Sequence, residues 1–204
     1  MIQRLWLEIQ KFIANHLLLV VFLTVLFAIS VAFGAIVVQA LQTNQKNELY
    51  MYINNFLLYL GQEPLSPKLI LWESLSQNLK YLGILWVLGL SVIGLPVIIV
   101  MIFAKGFSLG FTVAFLIDQY AGKGLQLAIA AIFPQNLILV PVTLFVGVAG
   151  IVFSMQLIQN RILQSGESLF NKFINYLFII IVSIILVIIA SFYEAYIAPY
   201  FYSL

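Results

Sequence analysis

The chain offers few side chains that could do chemistry. Its only histidine is His16 and it has no cysteine. A thiolate nucleophile, a disulfide and a cysteine-based metal site are thereby excluded, and a lone histidine makes no metal centre without partners. No H-E-x-x-H and no phosphate-binding loop occurs. An aspartyl protease working inside a membrane needs two acids there. The only candidates are Asp118 and Glu194, both near the ends of apolar runs. No Ser–His or Asp–Asp pairing emerges from the spacing of the rest. Glu194 carries most interest, because it interrupts the apolar stretch SFYEAYIAP (Ser191 to Pro199) and a lone carboxylate in lipid is costly. A structural role, paired with Lys80 or a backbone donor, is preferred to a proton relay. The expectation is a chain that is not an enzyme, with no catalytic residue, cofactor or metal.

The elements that carry these residues are set by hydropathy. Hydrophobic residues make up 64% of the chain and charged residues 8%, with a mean hydropathy of +1.13. An ordinary soluble domain is about half apolar and about a quarter charged. A net charge of +2 gives no reason to expect nucleic acid. The class is all-α: a polytopic integral membrane protein, solvated by the lipid bilayer, with 1–204 forming a single membrane domain.

Five spans are expected, at 17–38, 82–104, 106–121, 138–158 and 173–198. The first, Leu17 to Val38, is free of charge and about 33 Å long as a helix at about 1.5 Å per residue. A cleaved signal has an apolar core of only about 7 to 15 residues, so this run reads as an uncleaved anchor. Gly94 and Pro96 fall inside the second span, where proline removes a helical donor. Lys105 and Gly106 then make a tight hairpin into the third run. Gly106, Gly110 and Ala114 recur there every fourth residue, a stripe that lets two helix backbones approach. Packing within one chain is preferred for it, and a homo-oligomer seam is the alternative. Leu125 to Phe133 is too short to cross and reads as a broken or re-entrant helix before Pro134. Asn136 then suits the N-cap of the fourth span, with Pro141 near its first turn.

The segment 39–79 is the longest polar stretch. Leu49, Tyr52, Ile53, Phe56, Leu57 and Leu60 recur at helical spacing. They predict an interfacial helix over Asn47 to Leu60, ended by Gly61 and Pro64. Pro67 opens a second short helix through Trp72 to Gln77. The interfacial face suits packing on the chain's own bundle, and otherwise the docking of a partner. Lysine and arginine counts favour a cytoplasmic N-terminus, with 39–79 and the C-terminus extracytoplasmic. No repeat, low-complexity tail or soluble domain is visible.

Five segments carry a resemblance: NLKYLGILWVLGLSVIGLPVI (Asn78 to Ile98), KGFSLGFTVAFL (Lys105 to Leu116), FPQNLILVP (Phe133 to Pro141), SFYEAYIAP (Ser191 to Pro199) and QKNELYMYINNF (Gln45 to Phe56). Together, from about Phe33 to Pro199, they resemble the stage II sporulation protein M family. The resemblance implies five spans, a cytoplasmic N-terminus and a place in the mother-cell membrane around the septum and forespore. It implies a scaffold that tethers two peptidoglycan hydrolases, stage II sporulation proteins D and P, during engulfment. The short, weakly basic N-terminus departs from the family. In more distant relatives outside sporulation, His-Gly with a nearby acid follows the proline. Here Gln135, Asn136 and Leu139 stand there, which argues against an ion or proton site. A transport protein or permease subunit is the alternative, since helices broken at Pro96 and Pro134 resemble those around midplane sites. Against it, charges avoid the expected span centres and no repeat symmetry is visible.

Overall fold

The computed structural model of the chain describes residues 10–62, 66–163 and 169–198. The secondary structure of the described residues is helical throughout. In chain order it comprises α1 (Leu17–Ala40), α2 (Thr43–Gln62), α3 (Pro67–Gly89), α4 (Gly94–Leu127), a π-helical stretch (Ala128–Ile132), α5 (Phe133–Leu163) and α6 (Leu169–Tyr196). Among the described residues, four helices are long and apolar enough to cross a membrane: Leu17–Ala40, Gly94–Gln126, Phe133–Gln159 and Lys172–Tyr196. The chain is therefore a membrane protein of the all-α class. The expected interfacial helix over Asn47 to Leu60 falls within α2. Pro64, Pro199 and the C-terminal tail lie outside the described residues.

α5 is the central helix. Of its apolar stretch 67% is buried, against 22 to 28% for the other three. Val142, Val146, Val148 and Ile151 of α5 meet Leu82 and Leu85 of α3, Ile98 and Ile102 of α4, and Val187 of α6 in one core. The outward faces stay apolar, with Leu18, Ile29, Phe33 and Ile36 on α1 and Ile181, Ile185 and Ile189 on α6 all exposed. Only lipid makes such a surface favourable.

α3 differs from the four. It is 23 residues long, about 34 Å at about 1.5 Å per residue, and packs against α4, α5 and α6. Lys68, Ser74, Gln77, Asn78 and Lys80 make it too polar to count with them. Its start is local chemistry: Pro67 sits in the first turn, and Ser66 Oγ accepts the Leu69 N–H at 3.3 Å. The helix opened by Pro67 does not stop near Gln77 but runs on to Gly89.

This moves the hairpin. The expected division between spans 82–104 and 106–121 at Lys105 and Gly106 is overturned. The turn lies at 90–93, where the Leu90 and Ser91 N–H groups bond back to Val87 and Leu88 at 3.1 and 3.0 Å. α4 then continues unbroken through Lys105. Pro96 is thus not a mid-span break. It occupies the first turn of α4, where its missing N–H would have no intrahelical acceptor in any case. Ser154 of α5, fully buried, donates to the carbonyls of Gly89 and Ser91 at 2.8 and 3.0 Å. It thereby serves carbonyls left open at the end of α3.

The other break is at Ala121, whose φ of 48° and ψ of −124° interrupt α4, a costly conformation for a residue with a Cβ. A short helical piece follows and passes through the π stretch into α5. The expected short helix over Leu125 to Phe133 is therefore this kinked entry, continuous with α5. Asn136 is not an N-cap: it lies inside α5 and its Nδ2 donates to the Ile132 carbonyl at 2.8 Å. Pro134 lies in the first turn of α5, and Pro141 is interior.

Candidate functional site

Two faces of α4 hold the residues of most interest. One packs on α1. Gly106 lies against Ser30 and Phe27, Gly110 against the Val31 carbonyl, and Gly34 of α1 against the Phe107 carbonyl. A Cβ at Gly110 would collide with the backbone of Val31. The stripe Gly106, Gly110, Ala114 thus lies along a seam inside one chain, with Ala114 half-buried at its continuation.

The opposite side of α4 borders an open cavity of about 300 Å³, lined mostly by polar side chains, between α3, α4, α5 and α6. Lys105, Ser108 and Thr112 recur along one stripe of α4 and line it. Lys105 is about 17 Å along the axis from Gly94 at about 1.5 Å per residue, near the middle of the helix. The expectation that charges avoid the span centres is therefore corrected. Lys105 Nζ stands 4.8 Å from the centre of the Tyr81 ring, a cation–π contact, and the Tyr81 hydroxyl donates to the Met101 carbonyl at 2.9 Å.

Across the cavity is Glu194 of α6. Its Oε2 accepts a hydrogen bond from Gln135 Nε2 of α5. The expected pairing with Lys80 is not formed: Lys80 is exposed on α3. One helical turn before Glu194, Ser191 is fully buried and accepts from Ser74 of α3 at 3.0 Å, tying the two helices at the cavity wall. Asn78 gives its amide N–H to the Ser74 carbonyl at 2.9 Å. The structure thus gathers Glu194, Asn136 and the residue after Pro134 at one place, while Pro96 lies apart in the turn region.

Sequence reasoning missed Lys105, Asn78, Ser108 and Gln135 as members of one site. The signal was present as spacing: Ser74, Asn78 and Tyr81 on α3, and Lys105, Ser108 and Thr112 on α4, each recur every three or four residues. Placing a turn at Lys105 hid the second stripe.

α2 lies beyond the end of α1. Lys46 bonds Asp118 at 2.9 Å, the one ion pair among the described residues, and the Tyr50 and Tyr120 rings lie 5.9 Å apart. These contacts pin α2 to the end of α4. Tyr52 is 75% exposed. Phe56 falls within α2, and its side chain lies outside what is described. Among the described residues no group of three His, Cys, Asp or Glu side chains could hold a metal ion.

The family model for stage II sporulation protein M matches residues 23–199. No curated protein and no solved structure matches. The matched range takes in every helix described here from within α1 to the end of α6, so the chain belongs to the stage II sporulation protein M family.

Proposed function

We propose that this sporulation-related membrane protein is a non-catalytic scaffold. It anchors and localises a peptidoglycan-hydrolase complex, made of stage II sporulation proteins D and P, in the mother-cell membrane during engulfment. Beside the family membership, one observation carries the reading: α2 stands outside the apolar bundle as a separate platform, fixed to it by Lys46 and Asp118 and showing Tyr52 to its surroundings. In this reading α3 is a fifth, polar crossing, sheltered among α4, α5 and α6. The N-terminus is then cytoplasmic and α2 extracytoplasmic, on the side where a wall hydrolase works. The test is hydrolase localisation in sporulating cells. Tyr52→Asp together with Phe56→Asp should leave the protein in the membrane and disperse the hydrolases. Normal recruitment by that variant would move docking to the spans.

A second reading, a transport protein or permease subunit, draws on the polar cavity between α3 and α6, since polar groups inside an apolar bundle commonly mark a solute path. Loss of engulfment with hydrolase recruitment intact, in a variant altered only in the cavity, would favour it.

A further inference from the structure

We propose that the cavity between α3, α4, α5 and α6 binds a small zwitterion carrying an ammonium and an acid group, with the acid at Lys105 and the ammonium at Glu194. The inference does not depend on which proteins the chain scaffolds. It starts from two opposite charges that line one cavity and do not form a direct ion pair, the only such pair among the described residues being Lys46–Asp118. Charges inside an apolar bundle are costly unless paired and hydrogen-bonded. Each of these instead has a neutral neighbour as its direct partner, Lys105 the Tyr81 ring and Glu194 the Gln135 amide, while the two charges attract each other across the space between them. Space of about 300 Å³ lies beside them, enough for a small solute and open on one side.

The uncharged lining groups supply both acceptors and a donor to the same space. Asn78 and Asn136 spend amide N–H groups on helix carbonyls. That leaves their amide oxygens as acceptors for an ammonium, which has three donors and no acceptor. Near Lys105, Ser108 lies one turn along the same stripe with a hydroxyl free to donate to an anion. A lone anion would be repelled by Glu194, and a lone cation by Lys105. A zwitterion answers both and leaves the cavity neutral. Two sources supply this chemistry: the headgroup of phosphatidylethanolamine, and a free solute such as an amino acid.

The experiment uses the full chain in nanodiscs of phosphatidylglycerol, with melting temperature followed against L-alanine, glycerophosphoethanolamine, acetate and methylammonium. A ligand that binds only the folded state raises that temperature. A saturable rise with at least one zwitterion, and none with acetate or methylammonium, is expected. Lys105→Gln and Glu194→Gln should each weaken binding at least tenfold. If nanodiscs containing phosphatidylethanolamine raise the melting temperature unaided and abolish the response to the solutes, the lipid headgroup is the ligand. If the solute response persists there, the ligand is a free zwitterion. No response to either zwitterion and none to phosphatidylethanolamine overturns the proposal. So does an equal response to acetate or methylammonium. Each of these results is read on the unaltered protein, so a variant that fails to fold does not blunt the test.

Discussion

The two faces of α4 are built on opposite principles. Toward α1, Gly106 and Gly110 remove side chains altogether, and Ser30 of α1 turns its hydroxyl onto its own helix, donating to the Phe27 carbonyl at 2.7 Å. Nothing polar is left over, and the backbones approach until a single Cβ would not fit. Toward α3, α5 and α6, Lys105, Ser108 and Thr112 keep their side chains, and the helices stand off far enough to leave a cavity. Association in lipid lacks a hydrophobic drive between helices, so close packing has to supply it. The tight face holds the bundle together, which lets the opposite face carry charge and empty space. Substitutions on the first should therefore cost stability, and substitutions on the second should cost binding.

The largest effect belongs to Gly110→Leu. The new side chain meets the Val31 backbone, which cannot rotate away as a side chain can. Overpacking typically costs about 1 to 3 kcal/mol and occasionally more, so membrane abundance and melting temperature should both fall sharply. Normal abundance would mean that the two helices part readily there and that the seam is not what holds them. Next is Ser154→Ala. It strips a buried donor from the Gly89 and Ser91 carbonyls, and an unsatisfied buried group costs about 1 to 3 kcal/mol. Thermal unfolding in detergent should register a smaller loss than at Gly110, and none at all would point to water replacing the hydroxyl.

At Glu194 the two substitutions should separate. Glu194→Leu leaves the Gln135 N–H without its acceptor, a loss on the order of 1 to 3 kcal/mol, whereas Glu194→Gln keeps an amide oxygen in its place. Melting temperatures should therefore drop for the first and hold for the second. Engulfment at matched protein level then reads function: equal, complete loss in both variants would show that the carboxylate charge itself is needed and favour the transport reading. The smallest effect is Lys46→Ala. Its partner Asp118 and Lys46 itself are 34% and 21% exposed, and such pairs contribute about 0.2 to 1 kcal/mol. Bundle stability should barely change, while α2 loses its tether and becomes easier to cleave by added protease.

The contrast between faces also explains which features are legible in the sequence. Composition and the long apolar runs determine the all-α membrane class, because length and hydropathy are local properties. The stripe Gly106, Gly110, Ala114 is readable for the same reason. The hairpin is not. A glycine beside a lysine looks like a turn, and the true turn at Leu90 to Ile93 is written in apolar residues apart from Ser91. What ties that turn down is a contact from far along the chain, Ser154 on the carbonyls of Gly89, at the end of α3, and Ser91, within the turn. Pro96 looks like a mid-helix break only while the helix start is placed too early. α3 seems to end at Gln77 because its polar residues resemble a loop, when in fact Ser74, Gln77 and Asn78 face a cavity lined also by three other helices. Glu194 stands out in its apolar setting, but its neighbours Gln135 and Lys105 are distant in sequence, and no local pattern announces them.

Topology tests the polar crossing directly in a chain with no native cysteine. Asn44→Cys should react with an impermeant thiol reagent on intact cells, and Val92→Cys should react only after the membrane is opened. Labelling of both on intact cells would show that α3 does not cross.

The central claim is that the chain holds a hydrolase complex in the membrane, and co-purification from sporulating cells tests it most directly. Tagged full-length protein, solubilised in mild detergent, should bring down stage II sporulation proteins D and P together, with recovery falling in the Tyr52→Asp, Phe56→Asp variant. Recovery of the tagged protein from the membrane with neither hydrolase attached would contradict the account.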